Sequence, residues 1–170
     1  LWGTFLEELE EKLRVILREE AKTGFVNYAH RGASSYRPEN TMAAFRLGLE
    51  MGANGIETDV QISKDGVLMI YHDDTMEAKT GFGGSICDYT YEELLQLDFG
   101  SKHGEKFKGL KIPTFEEILQ KFACHCIMNI HIKTLSEHYD EAAMKRIVAL
   151  IRKYDCVKHV YLMLSPDRVI

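Results

Sequence analysis

Several ionisable residues interrupt or end short apolar runs in this chain. His30-Arg31-Gly32 closes the β-prone run Phe25–Ala29, and Glu57 and Asp59 lie within the run Gly55–Ile62. Being two apart on a strand, Glu57 and Asp59 project from one face, and paired carboxylates held that way suit a hard divalent cation with oxygen ligands. Solvated acids on a hairpin edge are the plainer alternative. Against it, Ile56, Val60 and Ile62 fall on the opposite face, under the helices, which turns the acids toward an interior where unpaired charge is costly. His30 and His72 suit general acid–base work, one removing a proton from an attacking hydroxyl and the other protonating a leaving oxygen. The fork of Arg31 can bind an oxyanion, and Lys133 can add a second positive charge where negative charge builds up.

The surrounding elements must bring these groups together. After the first strand, Asn40 or Thr41 reads as the N-cap of a helix with Met42, Phe45 and Leu49 on one face and Gly52 as its stop. The run Gly55–Ile62 follows as a second strand, giving a strand–helix–strand unit. Lys64-Asp65-Gly66 leaves too little chain for a parallel crossover, so a local hairpin is expected, returning His72 to roughly the level of Glu57 and Asp59. A Gly-rich loop, Gly81–Gly84, comes next, then two helices announced by capping boxes at Thr90–Glu93 and Thr114–Glu117. The strand Ile127–Ile132 and the residue after it carry Asn129, His131 and Lys133 on one face. A helix with Ala143, Met144, Ile147 and Ile151 on one side follows, then a strand over 159–164 and a helix opening at Ser165-Pro166-Asp167. Alternating strands and helices with ionisable residues at the strand ends predict an α/β fold of the TIM-type (β/α) barrel class. Only about five strands are present where a closed barrel needs eight and typically about 250 residues, so the barrel is expected to be incomplete at its C-terminus. An open parallel sheet fits the same periodicity.

Two motif groups carry a family resemblance. The first is His30-Arg31-Gly32 with Pro38-Glu39-Asn40-Thr41 and Ala44-Phe45; the second is Gly52-Ala53, Ile56-Glu57-Thr58-Asp59-Val60, Asp65-Gly66 and His72-Asp73. Their order and spacing closely resemble the glycerophosphodiester phosphodiesterase family over about residues 25–170. The resemblance implies a phosphodiesterase barrel whose metal ligands include Glu57 and Asp59, with His30 and His72 as acid and base and Arg31 and Lys133 on the phosphate. It also implies that the substrate's neighbouring hydroxyl is the first nucleophile, giving a cyclic phosphate that water then opens. The family usually has Glu-x-Lys where this chain has His131-Ile132-Lys133, so His131 stands where a third metal ligand is expected. Imidazole moves preference from magnesium or calcium toward manganese, zinc or iron, or weakens the site; a bystander His131 lining the barrel is the alternative. Lys79-Thr80 occupies the place of a common Arg-Thr, keeping the charge and losing the fork.

Length and composition bound the rest. With 170 residues and 45% hydrophobic content, one domain is expected: a helix over 1–23, with Leu6, Leu9 and Leu13 at helical spacing, then the N-terminal part of a barrel over 24–170. The formal charge of −5 and the absence of a sustained basic stripe argue against nucleic acid as a partner. No apolar run is long enough to span a bilayer, and the N-terminal stretch is too charged for a signal peptide, although a start at Leu1 leaves room for a removed leader. Cys87, Cys124, Cys126 and Cys156 form no dense disulfide framework, which favours a reducing cytoplasm. Cys124-His125-Cys126 invites a zinc reading, but strand alternation would split the three residues between two faces, so buried cysteines are expected. The substrate expected is a small glycerophosphodiester, with a lysophospholipid, another phosphodiester, or a catalytically impaired phosphate-binding barrel as alternatives. A half barrel leaves an open strand edge, which a longer chain or a second copy would have to cover.

Overall fold

A computed structural model describes residues 24–133 and 141–164. The helix expected over 1–23 and the helix opening at Ser165-Pro166-Asp167 lie outside the described residues. The chain forms β1 (Tyr28–His30), α1 (Met42–Glu50), β2 (Gly55–Ile62) and β3 (Leu68–Ile70), then the one-turn helices α2 (Glu77–Thr80) and α3 (Tyr91–Leu94). It continues with α4 (Phe115–Phe122), β4 (Ile127–Ile132), α5 (Glu141–Lys153) and β5 (Val160–Met163).

The strands make one sheet in the order β1-β2-β4-β5, every neighbouring pair parallel, with β3 antiparallel on β2. β1 and β3 share one edge of β2. Tyr28–His30 pairs with Gly55–Glu57, and Leu68–Ile70 pairs with Val60–Ile62. Between them, the Arg31 amide donates to the Glu57 carbonyl (2.9 Å) and the Tyr71 amide to the Asp59 carbonyl (3.1 Å). The chain leaving β1 and the chain returning from the hairpin therefore converge over Thr58. That is the level expected for His72, within one residue.

The hairpin turns where the sequence places it. The Ser63 amide bonds the Val67 carbonyl, and Gly66 takes the left-handed φ of +87° that its position demands. Thr41 caps α1 by accepting from the Ala44 amide, and the capping boxes at Thr90 and Thr114 both close. Ile56, Val60 and Ile62 pack with Phe45 of α1, Phe115, Ile118 and Leu119 of α4, and Ala143, Ile147 and Ile151 of α5. This cluster consumes the apolar stripe of each helix, as the periodicity requires. A smaller cluster, with Met69, Tyr71, Met76 and Phe99, supports the excursion after β3.

Three expectations change in detail. β1 begins at Tyr28 rather than Phe25, whose side chain is 87% exposed; ahead of Tyr28 the Asn54 side chain, accepting from the Asn27 amide and donating to the Phe25 carbonyl, stands in for a strand partner. β5 spans Val160–Met163, since a short 3-10 turn over Val157–His159 takes the first residue of the predicted run. Cys124 is in a turn at φ +65°, not on a strand, so strand alternation does not apply to it; Cys124 and Cys126 are buried, as expected. No described helix is long and apolar enough to cross a membrane.

Candidate active site

β2 presents its acids as its alternation requires. Glu57 and Asp59 lie on the face opposite the helix-covered Ile56, Val60 and Ile62, and both are buried, at 7% and 1% exposure. β4 runs beside β2 with Glu57 opposite Asn129 and Asp59 opposite His131, so His131 arrives at the level of Asp59. Donor atoms of Glu57, Asp59 and His131 lie within 4.8 Å of one another. The Lys133 amide bonds the Val60 carbonyl, which sends its side chain back over the same face, with Nζ 3.5 Å from Asp59 Oδ1.

β1 and its exit loop supply the other wall. His30 Nε2 lies 3.6 Å from Glu57 Oε2, with its side chain largely exposed, and the Arg31 amide donates to the same carboxylate oxygen at 3.3 Å. Arg31 turns inward because it takes a left-handed φ of +55°, followed by Gly32 at +82°. Its Nε is 3.5 Å from Asp59 Oδ2 and its Nη1 3.2 Å from Glu39 Oε2. Asn40 completes this side: its side-chain amide donates to Asp59 Oδ2 (3.0 Å) and accepts from the Thr58 hydroxyl (2.9 Å). His72, just past β3, points Nδ1 at Asp73 Oδ1, 2.8 Å away.

The electrostatics fit a site made for a cation. Burial, then the charge of Asp59, raises the Glu57 carboxyl above the usual range, against weaker pulls from His30 and Arg31. Among the described residues, Asp59 Oδ1 is buried and makes no hydrogen bond, with Lys133 Nζ and His131 Nδ1 both standing off at 3.5 Å. Burial, then the charge of Lys133, lowers the His131 imidazole; Asp59 opposes this and His72 and Arg31 add to it. A neutral imidazole keeps the lone pair a metal needs. Two acids, one of them with an oxygen that makes no hydrogen bond, and an imidazole are three donors of the kind that hold a divalent cation.

The expected residues thus come together from β1, β2, β4 and the end of the hairpin. The profile of the glycerophosphoryl diester phosphodiesterase family matches residues 30–170. The chain belongs to this family. A glycerophosphodiester phosphodiesterase of Caldanaerobacter subterraneus is 44% identical over 133 residues, 78% of this chain and 54% of that protein. The glycerophosphodiester phosphodiesterase of Agrobacterium tumefaciens superposes with a TM-score of 0.75 at 30% identity, covering 84% of this chain and 59% of that one. An Oleispira antarctica phosphodiesterase, solved with the product sn-glycerol-3-phosphate, gives 0.71 at 31% identity, covering 81% and 55%. The chain spans about half the length of the curated relatives it matches. Within this phosphodiesterase family, the mostly parallel sheet with its helices is the incompletely closed wall of a barrel, which decides between the barrel and the open sheet.

Four residues around the site had no part in its chemistry assigned from sequence, or only a weak suggestion of one. Asn40 holds Asp59; Glu39 and Asp73 share the ammonium of Lys79, at 2.6 and 2.8 Å. The motifs contain Glu39, Asn40 and Asp73, and Lys79 lies just beyond them, but no periodicity predicts contacts made between loops. Cys124 and Cys126 belong to neither group of converging metal-capable donors among the described residues. The Cys124 thiol donates instead to the carbonyl of Asp155 (3.4 Å).

Proposed function

We propose that the protein hydrolyses glycerophosphodiesters to glycerol 3-phosphate and an alcohol, with a divalent cation at Glu57, Asp59 and His131. The observation that carries this reading is the convergence of those three donors around a buried Asp59 oxygen that makes no hydrogen bond, with His30, Arg31 and Lys133 against the same two carboxylates. When bound, the cation supplies Lewis-acid charge stabilisation to the phosphoryl oxygens. His131 favours manganese or another transition ion over calcium and magnesium.

The chain's own residues do the rest. Arg31, braced by Asp59 and Glu39, directs its guanidinium at a nonbridging oxygen, and Lys133 places a second positive charge beside it as charge accumulates on phosphorus. Of His30 and His72, one takes the proton of the attacking hydroxyl as its oxygen bonds to phosphorus. The other delivers a proton to the alcohol oxygen as its bond to phosphorus breaks. If the attacker is the glycerol moiety's own hydroxyl, a cyclic phosphate results, and water opens it with the proton transfers reversed. The sn-glycerol-3-phosphate held by the Oleispira antarctica relative supports glycerol 3-phosphate as the product here.

We also assign residues 24–170 to one barrel domain, with residues 1–23 as a separate N-terminal segment, and the protein to the cytoplasm, on the ground that its four cysteines make no dense disulfide framework. The exposed Tyr161, Leu162 and Met163 of the edge strand β5 are to be covered by further strands or a second copy. The test is hydrolysis of glycerophosphocholine by the full-length protein, after chelation and with manganese, magnesium, calcium or zinc restored singly. Metal-restored release of glycerol 3-phosphate that disappears in His30→Ala supports the reading, and no turnover with any ion rejects it.

A further inference from the structure

We propose that Lys79 is a positioning residue: its ammonium fixes Asp73, and through Asp73 sets the tautomer and orientation of the His72 ring. The inference rests on the reading of His72 as a proton-transfer group. Lysine rarely hides its charge, yet the Lys79 side chain is 16% exposed. Its Nζ lies 2.6 Å from Glu39 Oε1 and 2.8 Å from Asp73 Oδ2, and 4.7 Å from the centroid of the Tyr71 ring.

The second oxygen of each carboxylate reaches a proposed site residue. Asp73 Oδ1 is 2.8 Å from His72 Nδ1, and Glu39 Oε2 is 3.2 Å from Arg31 Nη1. One chain of contacts, His72–Asp73–Lys79–Glu39–Arg31, therefore joins the return of the hairpin to the exit of β1. Lys79 is its only link between the two carboxylates. Glu39, His72 and Asp73 also have the donor spacing of a metal site, but the ammonium stands between the two acids and already supplies the positive charge.

The consequence for His72 follows from hydrogen-bond inventory. An ionised Asp73 only accepts, so Nδ1 carries the proton and Nε2 presents its lone pair to the site. Held on its other oxygen by Lys79, Asp73 cannot rotate away, and the ring is fixed in one plane. A neutral side chain in place of Lys79 leaves Asp73 tethered by His72 alone. With Asp73 free to swing its carboxylate, the bond to Nδ1 is made only part of the time, and the ring gains access to the other tautomer. A carboxylate that orients a catalytic imidazole acts in this way, and outer partners of a site typically cost about 10–100-fold when removed.

The test uses the full-length protein labelled with 15N-histidine, in which long-range 1H–15N correlation reads the tautomer of each ring and His72→Ala assigns the His72 signals. Wild type is expected to hold His72 in the Nδ1–H form. Lys79→Met and Lys79→Gln should both give a tautomer mixture, with kcat down about tenfold or more and KM changed less than about threefold. Lys79→Arg, which keeps a cation between the carboxylates, should restore the single tautomer and most of kcat. Two substitutions guard against one that fails to fold. A His72 tautomer unchanged in a folded Lys79→Met or Lys79→Gln protein overturns the inference, as does a mixture in wild type. Absence of turnover by wild type would reject the hydrolase reading, while the ring spectra would still decide what Lys79 does to His72.

Discussion

Gly32 offers a prediction whose size can be worked from geometry. It sits where β1 hands the chain to the site, at φ +82°, and a Cβ there would lie 2.5 Å from the Ala44 carbonyl carbon and 2.7 Å from the Phe45 nitrogen. Those are backbone atoms in the first turn of α1, which cannot swing aside as a flexible side chain could. Alanine at a left-handed φ costs about 1–2 kcal/mol, and overpacking a rigid neighbour about 1–3 kcal/mol more, so Gly32→Ala should destabilise by about 3 kcal/mol. Gly52 is the internal control: its φ is +99°, but a Cβ there meets nothing within 4 Å. Gly52→Ala should therefore cost only the conformational part, about 1 kcal/mol. Urea unfolding of the full-length protein reads the difference. With a slope of about 2 kcal/mol per molar, the midpoint for Gly32→Ala should fall about 1 M below that for Gly52→Ala. Equal shifts for the two variants would refute the claim that close approach of α1, rather than backbone conformation alone, selects glycine at position 32.

Glu57→Gln should raise the melting temperature of the chelated protein and abolish any further rise on adding manganese. The Glu57 carboxyl is raised by burial and by Asp59, so its charged form works against the fold above that raised value; stability falls as pH climbs through it, and an uncharged side chain removes the effect. Thermal scans with and without metal would check both halves. Glu39 has the opposite sign: burial pushes it up, but the Lys79 hydrogen bond and the charges of Lys79 and Arg31 outweigh burial and hold it below its usual 4.5. Its contribution is complete above 4.5 and is lost as pH falls through the lowered value, so the deficit of Glu39→Gln in urea unfolding should be largest near neutrality and shrink in acid. His131→Glu should lower the ratio of manganese to magnesium affinity by about tenfold, measured by calorimetric titration, because a carboxylate replaces the softer imidazole. An unchanged ratio would make His131 a bystander.

The site was legible where it rests on strand periodicity. Glu57 and Asp59 two apart on β2, and His131 and Lys133 two apart at β4, fix which face each side chain takes once the strands are recognised, and the parallel register then sets Asp59 beside His131. The short turn at Asp65-Gly66 was enough to return His72 to the same level. Contacts made by loops were not legible. Arg31 and Asn40 take left-handed φ values of +55° and +56°, which single residues of these types do not announce, and these aim the Arg31 guanidinium and the Asn40 amide at Asp59. Lys79 meets Glu39 across a wide sequence separation from a one-turn helix that carries no amphipathic signal. Cys124 escaped for the same reason, since a turn at positive φ interrupts the run that read as continuous strand.

Whether Glu57, Asp59 and His131 form a cation site is read by equilibrium binding of manganese to the chelated full-length protein, followed by electron paramagnetic resonance of the free ion. One bound manganese per chain is expected in wild type, and loss of that site in both Asp59→Asn and Glu57→Gln. A wild-type protein that takes up no manganese, or variants that bind it as wild type does, would rule out a cation site at these three residues.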